Sequence, residues 1–195
     1  EKIKLDSGLF VSYGSPAANA EQELKLWRGK KENNPKIQDR LAAMWANIGW
    51  RRWAPSIPWS AAAISWFFRD DPSFPKSAGH LGYIQIAKRN RRAGVSGYQH
   101  FTPKELAYEY QVNDIIGYVP SSTGRLHCDI YVGNGMCIGG NISNTVKKNR
   151  INRNTVSGEE IVLVLRKVDT RGLKEWKNDE LNKLLLEKFN LGVKK

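Results

Sequence analysis

Apolar residues recur at helical spacing through the first half of the chain. Between Pro35 and Gly49 they fall every three or four positions, which predicts an amphipathic helix. A second helix is predicted over 59–69, and because it is apolar on nearly every face it should be a buried central helix. A third helix is predicted over 77–93, with a basic end that suits the helix dipole.

Weaker signals predict three further short helices. One covers 21–27. Another follows Thr102 and Glu105, which have the spacing of a capping box, and runs to about residue 109. The last covers 178–189, where leucines at helical spacing predict an amphipathic C-terminal helix.

After about residue 113 the pattern changes to that of strands. Four segments are rich in apolar and β-branched residues and are bounded by Gly, Asn and Ser. They are 114–119, 126–132, 136–139 and 160–168. We predict an antiparallel sheet of four or five strands. Because the helices precede the strands, the predicted fold class is α+β.

Length and composition fit one globular domain. The chain has 195 residues, of which 41% are hydrophobic and 26% are charged. We predict a single domain over 1–195, with a core in 35–168, an irregular or helical lead-in at 1–34 and the C-terminal helix within 169–195. No apolar run approaches the roughly 20 residues of a membrane span.

The two cysteines are not expected to form a disulfide. Cys128 and Cys137 flank a predicted hairpin turn at 133–135, which leaves them about four residues out of register. At roughly 3.3 Å per residue that separation is too large for a bridge. We therefore expect two free, buried thiols.

The charge favours anionic partners. The 31 Lys and Arg residues outnumber the 19 Asp and Glu residues, which gives a net charge of +12. Nucleic acid, anionic lipid and the bacterial cell wall all carry the complementary charge. Nucleic acid is not the expected partner, because none of the sequence motifs of nucleic-acid recognition is present.

Ser60 is the residue best placed for chemistry. It lies in the first turn of the predicted buried helix, where backbone N–H groups are unpaired and the dipole is positive. Such a position can activate a nucleophile and hold a developing oxyanion. The alternative is that Ser60 only caps the helix.

Three histidines are available as a base. His80 lies early in the predicted helix over 77–93, His100 lies in a loop, and His127 begins a predicted strand. The sequence has no P-loop, no dinucleotide-binding glycines, no HExxH motif and no CxxC pair, so we expect neither a metal nor a cofactor.

Several segments together resemble the papain-like fold of bacterial cell-wall peptidases of the NlpC type. Residues 58–66 (PWSAAAISW) resemble the helix that carries the nucleophile in that family. Residues 113–118 resemble the strand that precedes its histidine strand, and 127–141 resemble the histidine strand, turn and returning strand. Residues 77–80 (SAGH) and 138–141 (IGGN) further resemble an uncharacterised bacterial domain family related to those peptidases.

The resemblance covers about 42–146 and implies a papain-like site. Ser60 takes the place of the nucleophilic Cys of that family, and His127 would be the base. The third residue would be Asn141, with Asp129 as the competitor on the same strand face as His127. Three more residues, His80, Trp53 and Trp59, are candidates for the wall of the site.

The implied activity is hydrolysis of an amide in peptidoglycan stem peptides. The basic surface suits peptidoglycan or other anionic cell-wall material. Because Ser60 replaces Cys, a non-catalytic module that binds cell-wall glycan or peptide stays open as an alternative. A third alternative is another acyl-transfer enzyme, an esterase or an acyltransferase.

The resemblance also implies a place of action. We expect a protein that is secreted or acts in the periplasm, including one carried by a phage or delivered as an antibacterial effector. An immunity or delivery protein would then be a further partner. No signal peptide is visible in the sequence.

Overall fold

The computed structural model describes residues 15–51, 53–54 and 56–170. Within these residues four helices come first and seven strands follow, which confirms the α+β class. The helices are α1 (Pro16–Trp27), α2 (Pro35–Ala46), α3 (Ser60–Phe67) and α4 (His80–Ala93). The strands are β1 (Gly97–Phe101), β2 (Ile115–Tyr118), β3 (His127–Gly133), β4 (Met136–Ile142), β5 (Thr145–Asn152), β6 (Thr155–Val156) and β7 (Glu159–Val168).

Local signals set where the helices begin. Ser15 and Asn34 accept hydrogen bonds from backbone N–H groups at the starts of α1 and α2, and each is followed by Pro. The first helix is therefore longer than the predicted 21–27. The capping box at Thr102 and Glu105 is also formed, but only a 3₁₀ turn at Lys104–Leu106 follows it.

The sheet is larger than the sequence pattern predicted. Its strand order is β1-β7-β2-β3-β4-β5-β6, and all pairs are antiparallel. The prediction of four or five strands was wrong because β1, β5 and β6 were missed. β6 has two residues and pairs with both β5 and β7, so the sheet closes on itself.

Two apolar clusters stabilise the fold. The larger one joins α1, α2, α3 and α4 to one face of the sheet, with α3 at its centre, as its apolar sequence predicted. The smaller one lies on the opposite face of the strands and includes Ile116, Cys137 and Val164. α1 contributes buried side chains to the larger cluster, so it is part of the core rather than a lead-in.

Both cysteines are free and buried, as predicted. None of the helices within the described ranges has the length and hydropathy that a membrane span requires. The predicted C-terminal helix over 178–189 lies outside the described residues.

Candidate active site

Ser60 is the first residue of α3. The preceding residue, Trp59, makes no side-chain capping hydrogen bond. The first helical hydrogen bond of α3 is donated by the backbone N–H of Ala63 to the carbonyl oxygen of Trp59 at 2.9 Å. Within the part of the chain that the structure describes, the N–H groups of residues 60–62 have no hydrogen-bond partner. The helix start therefore presents free donors beside the Ser60 hydroxyl.

The Ser60 hydroxyl is hydrogen-bonded to a histidine. Ser60 Oγ lies 2.8 Å from His80 Nε2, and His80 is the first residue of α4. The other ring nitrogen of His80, Nδ1, is hydrogen-bonded to the hydroxyl of Tyr83. If Nδ1 carries the proton and donates to Tyr83, then Nε2 is free to accept the proton of Ser60.

Burial keeps His80 neutral. It lowers the pKa of His80 to about 3, and the positive charge of a protonated His127 acts in the same direction, while Asp129 opposes both. The neutral ring is the form that can take a proton. At neutral pH the hydrogen bond to Ser60 is therefore one between a hydroxyl and a basic nitrogen.

A second imidazole lies beside the first. The rings of His80 and His127 have centroids 5.8 Å apart and are inclined by 66°. His127 begins β3, and its Nε2 lies 3.0 Å from Oδ1 of Asp129. The two atoms are close but are not aligned for a hydrogen bond, and both are buried. The contact is therefore electrostatic.

Asp129 is wholly buried and is held by three donors. Its Oδ2 accepts hydrogen bonds from Tyr118 Oη at 3.2 Å, Cys137 Sγ at 3.2 Å and Asn149 Nδ2 at 3.0 Å. Burial raises the pKa of both Tyr118 and Cys137, and the Asp129 charge raises each further. These donors therefore stay protonated and fix the carboxylate beside His127.

Two adjacent glycines of β4 leave space for the carboxylate of Asp129 and for the close packing of α3. A Cβ at Gly139 would lie 1.8 Å from Asp129 Oδ1. A Cβ at Gly140 would lie 2.3 Å from Cβ of Ala63 and 2.7 Å from the ring of Trp59. Successive residues of a strand face opposite sides, so the pair accommodates Asp129 on one side and α3 on the other.

The sequence of the chain matches a described family. The family model, described as "uncharacterized protein conserved in bacteria (DUF2272)", matches residues 12–171. The chain belongs to this family. No curated protein matches it. The part that aligns with the DUF2272 family contains the four residues of the cluster, Ser60, His80, His127 and Asp129.

In this DUF2272 member the structure brings together four of the predicted site residues. Ser60 is hydrogen-bonded to His80, which was predicted only as part of the site wall, whereas no hydrogen bond among the described residues joins it to His127, which was predicted as the base. His127 faces Asp129, which was predicted as the competitor for the third position. Asn141 lies in β4 at φ 60° and makes no side-chain hydrogen bond to a described residue.

The two tryptophans do not form an open wall. Trp59 is 0% exposed, stacks on Trp27 with centroids 4.7 Å apart, and donates from Nε1 to Glu32 Oε2 at 2.7 Å. It therefore belongs to the core, contrary to the prediction that it could line a groove. Trp53 is half-buried and packs against the same core.

Four site residues were not predicted. Tyr83 follows His80 by three positions on a helix, a spacing that brings side chains together and could have identified it. Tyr118 and Cys137 lie on predicted strands, but no local pattern relates them to Asp129. Asn149 lies on β5, a strand that the sequence analysis missed.

Proposed function

We propose that this chain is a serine hydrolase that cleaves amides in peptidoglycan stem peptides. Ser60 is the nucleophile and His80 its general base. The observation that carries the proposal is the 2.8 Å hydrogen bond between Ser60 Oγ and His80 Nε2 at the start of α3. The proposal invokes no metal and no cofactor.

The chemistry follows from this geometry. As Ser60 Oγ bonds to the amide carbon, its proton passes to His80 Nε2. The carbonyl oxygen gains negative charge, which the free N–H groups of residues 60–62 can stabilise. Protonation of the amide nitrogen and breakage of the C–N bond release the amine and leave an acyl-enzyme. Water then hydrolyses the acyl-enzyme, and His80 returns its proton to Ser60.

A serine needs more help than a cysteine at this position. A helix dipole alone can stabilise a thiolate but not an alkoxide, so proton removal must accompany attack. His80 meets this requirement, since it is neutral and already hydrogen-bonded to the hydroxyl. This contact favours catalysis over the alternative of a module that only binds.

The fold assignment and the substrate rest on the resemblance to NlpC-type peptidases. A buried helix that carries the nucleophile and packs on an antiparallel sheet supports a papain-like arrangement. The net charge of +12 supports an anionic cell-wall substrate. Secretion, or action in the periplasm, is part of the same proposal.

The test is release of soluble fragments from purified peptidoglycan. Ser60→Ala and His80→Gln should each lower the release by about a thousandfold or more, whereas His100→Gln, outside the site, should not. Equal release by wild type and Ser60→Ala would exclude Ser60 from the chemistry. Binding of peptidoglycan without release by any variant would favour the binding module, and turnover only of simple esters would favour an esterase or acyltransferase.

A further inference from the structure

The site contains a second histidine and a buried carboxylate that the reaction just described does not use. We propose that His127, held by Asp129, is the general acid that protonates the leaving amine, while His80 serves Ser60. This inference rests on the proposed function. It divides between two rings the proton transfers that a single histidine performs in a Ser-His-Asp triad.

The geometry separates the roles of the two rings. Among the described residues the Ser60 hydroxyl is hydrogen-bonded only to His80, and the ring of His127 lies next to the ring of His80, with centroids 5.8 Å apart. Nε2 of His127 is buried against Asp129 Oδ1, so Nδ1 is the nitrogen left to face a substrate. The side chain of His127 is 13% exposed, which leaves a path for that contact.

The charges favour a proton on His127 rather than on His80. The carboxylate oxygen Oδ1 of Asp129 lies 3.0 Å from Nε2 of His127, and the three donors on its other oxygen stabilise its negative charge. The protonated His127 in turn disfavours a second positive charge on the adjacent ring of His80. In the proposed reaction His127 is therefore the proton donor and His80 the proton acceptor.

The proton transfers balance over one turnover. In acylation the Ser60 proton moves to His80 as the Oγ–C bond forms, and the His127 proton moves to the amine as the C–N bond breaks. Both rings carry a proton only in the tetrahedral intermediates, where the oxyanion offsets one of the two charges, and departure of the His127 proton with the amine leaves His80 as the single cation. In deacylation water adds to the acyl carbon and gives a proton to His127, and His80 returns its proton to Ser60.

A leaving group that needs no proton separates this role from that of the base. An alkyl fluorophosphonate forms a bond from Ser60 Oγ to phosphorus and expels fluoride, so its labelling rate requires His80 but not His127. Cleavage of peptidoglycan requires both. We expect His127→Gln to label within about threefold of wild type but to lose peptidoglycan cleavage by about a hundredfold or more.

The controls distinguish the outcomes. His80→Gln should lose both labelling and cleavage, and His100→Gln should lose neither. If His127→Gln slows labelling as much as cleavage, or leaves cleavage unchanged, the general-acid role is wrong. If the wild-type protein neither labels at Ser60 nor cleaves peptidoglycan, the proposed function itself fails.

A measurement on the wild type covers the case in which His127→Gln does not fold. His127 is faced by Asp129, by Tyr118 of β2 and by His80 of α4. A general acid must be protonated, so the ratio of cleavage rate to labelling rate should fall as the pH rises. A ratio that stays constant with pH would overturn the role of His127.

Discussion

Burial of the His80 ring beside Ser60 and His127 keeps the ring neutral at neutral pH and well below it. An exposed histidine is partly protonated near pH 6.5. Here burial lowers the pKa of His80 to about 3. The same burial makes the ring a source of pH-dependent stability, because the unfolded chain regains the ordinary affinity for a proton.

The free energy of unfolding should therefore fall as the pH falls below about 6.5. Between about pH 6.5 and pH 3 the unfolded state binds a proton at His80 that the folded state does not, which favours unfolding. From pH 7 to pH 5 this effect amounts to about 2 kcal/mol. Urea unfolding across this range should show it, and His80→Gln should have the shallower pH dependence.

Ser60→Ala is the matched variant for that experiment. It removes the hydroxyl partner but leaves the His80 ring in place, so the pH dependence should persist. An identical slope for wild type and His80→Gln would show that His80 is not the group responsible.

The sequence predicts some residues of the site but not the contact between Ser60 and His80. Ser60 stood out because a polar residue at the start of an apolar helix is unusual. The period of a strand placed Asp129 on the same face as His127, since residues two apart share a face, but Asn141 was preferred to it as the third residue. The contact between Ser60 and His80 was not predictable, because the turns of 68–79 decide how α3 and α4 approach, and no periodicity describes those turns.

At the scale of elements, the contact between α3 and β4 decides whether Ser60 reaches its partners. Gly140 lets Ala63 and the ring of Trp59 lie directly on the strand. Gly139, next to it, leaves space for the carboxylate of Asp129. The start of α3, which carries Ser60, and the carboxylate of Asp129 are thus positioned by neighbouring residues of one strand.

Alanine at either glycine should harm both stability and activity. Gly140→Ala would place a methyl group 2.3 Å from Cβ of Ala63, so α3 must move away. Gly139→Ala would place one 1.8 Å from Asp129 Oδ1 and displace the carboxylate from His127. Overpacking of this kind costs about 1–3 kcal/mol, which urea unfolding would measure.

A surface glycine provides the control. Gly124 has φ 61° and nothing within 4 Å of a side chain built there, and asparagine tolerates this backbone conformation. Gly124→Asn should change the free energy of unfolding by less than about 0.5 kcal/mol. Unchanged stability and peptidoglycan cleavage in both Gly139→Ala and Gly140→Ala would contradict this account of the contact.

The strands that were predicted and those that were missed differ in chemistry. The predicted strands are rich in apolar side chains that pack in the core, and this apolar content made them recognisable in the sequence. They are β2, β3, β4 and β7. β5 (TVKKNRIN) exposes Lys147 and Arg150 and buries Val146 and Ile151, so its alternation is hidden by charge. β6 has only two residues, which is too short for any pattern to predict.

For the whole molecule, the N-terminal helices and the sheet form one packed unit around α3. The carboxylate of Glu23 in α1 is 0% exposed and accepts hydrogen bonds from Trp27, Trp66 and Arg40. This network ties α1 to both α2 and α3. A buried carboxylate with three donors specifies how the helices pack, which composition could not predict.

Basic side chains are spread over the surface, and among the described residues only some of them form ion pairs with carboxylates. Several basic residues are paired, as Arg91 is with Glu105 and Lys148 with Glu21. Others are exposed on α4 and β5, namely Lys88, Arg89, Arg92, Lys147 and Arg150. Charges of this kind attract an anionic polymer over a distance that salt controls.

Under the proposed function, binding of the Ser60→Ala protein to purified peptidoglycan should weaken as salt is added. Raising the ionic strength from about 0.01 M to about 1 M shortens the screening length from roughly 30 Å to roughly 3 Å. Co-sedimentation would measure the bound fraction. Lys88→Gln with Arg92→Gln, and separately Lys147→Gln with Arg150→Gln, would show which surface contributes. If binding is independent of salt and of both pairs of substitutions, the net charge has no part in recognition, and contacts near Ser60 must supply the affinity.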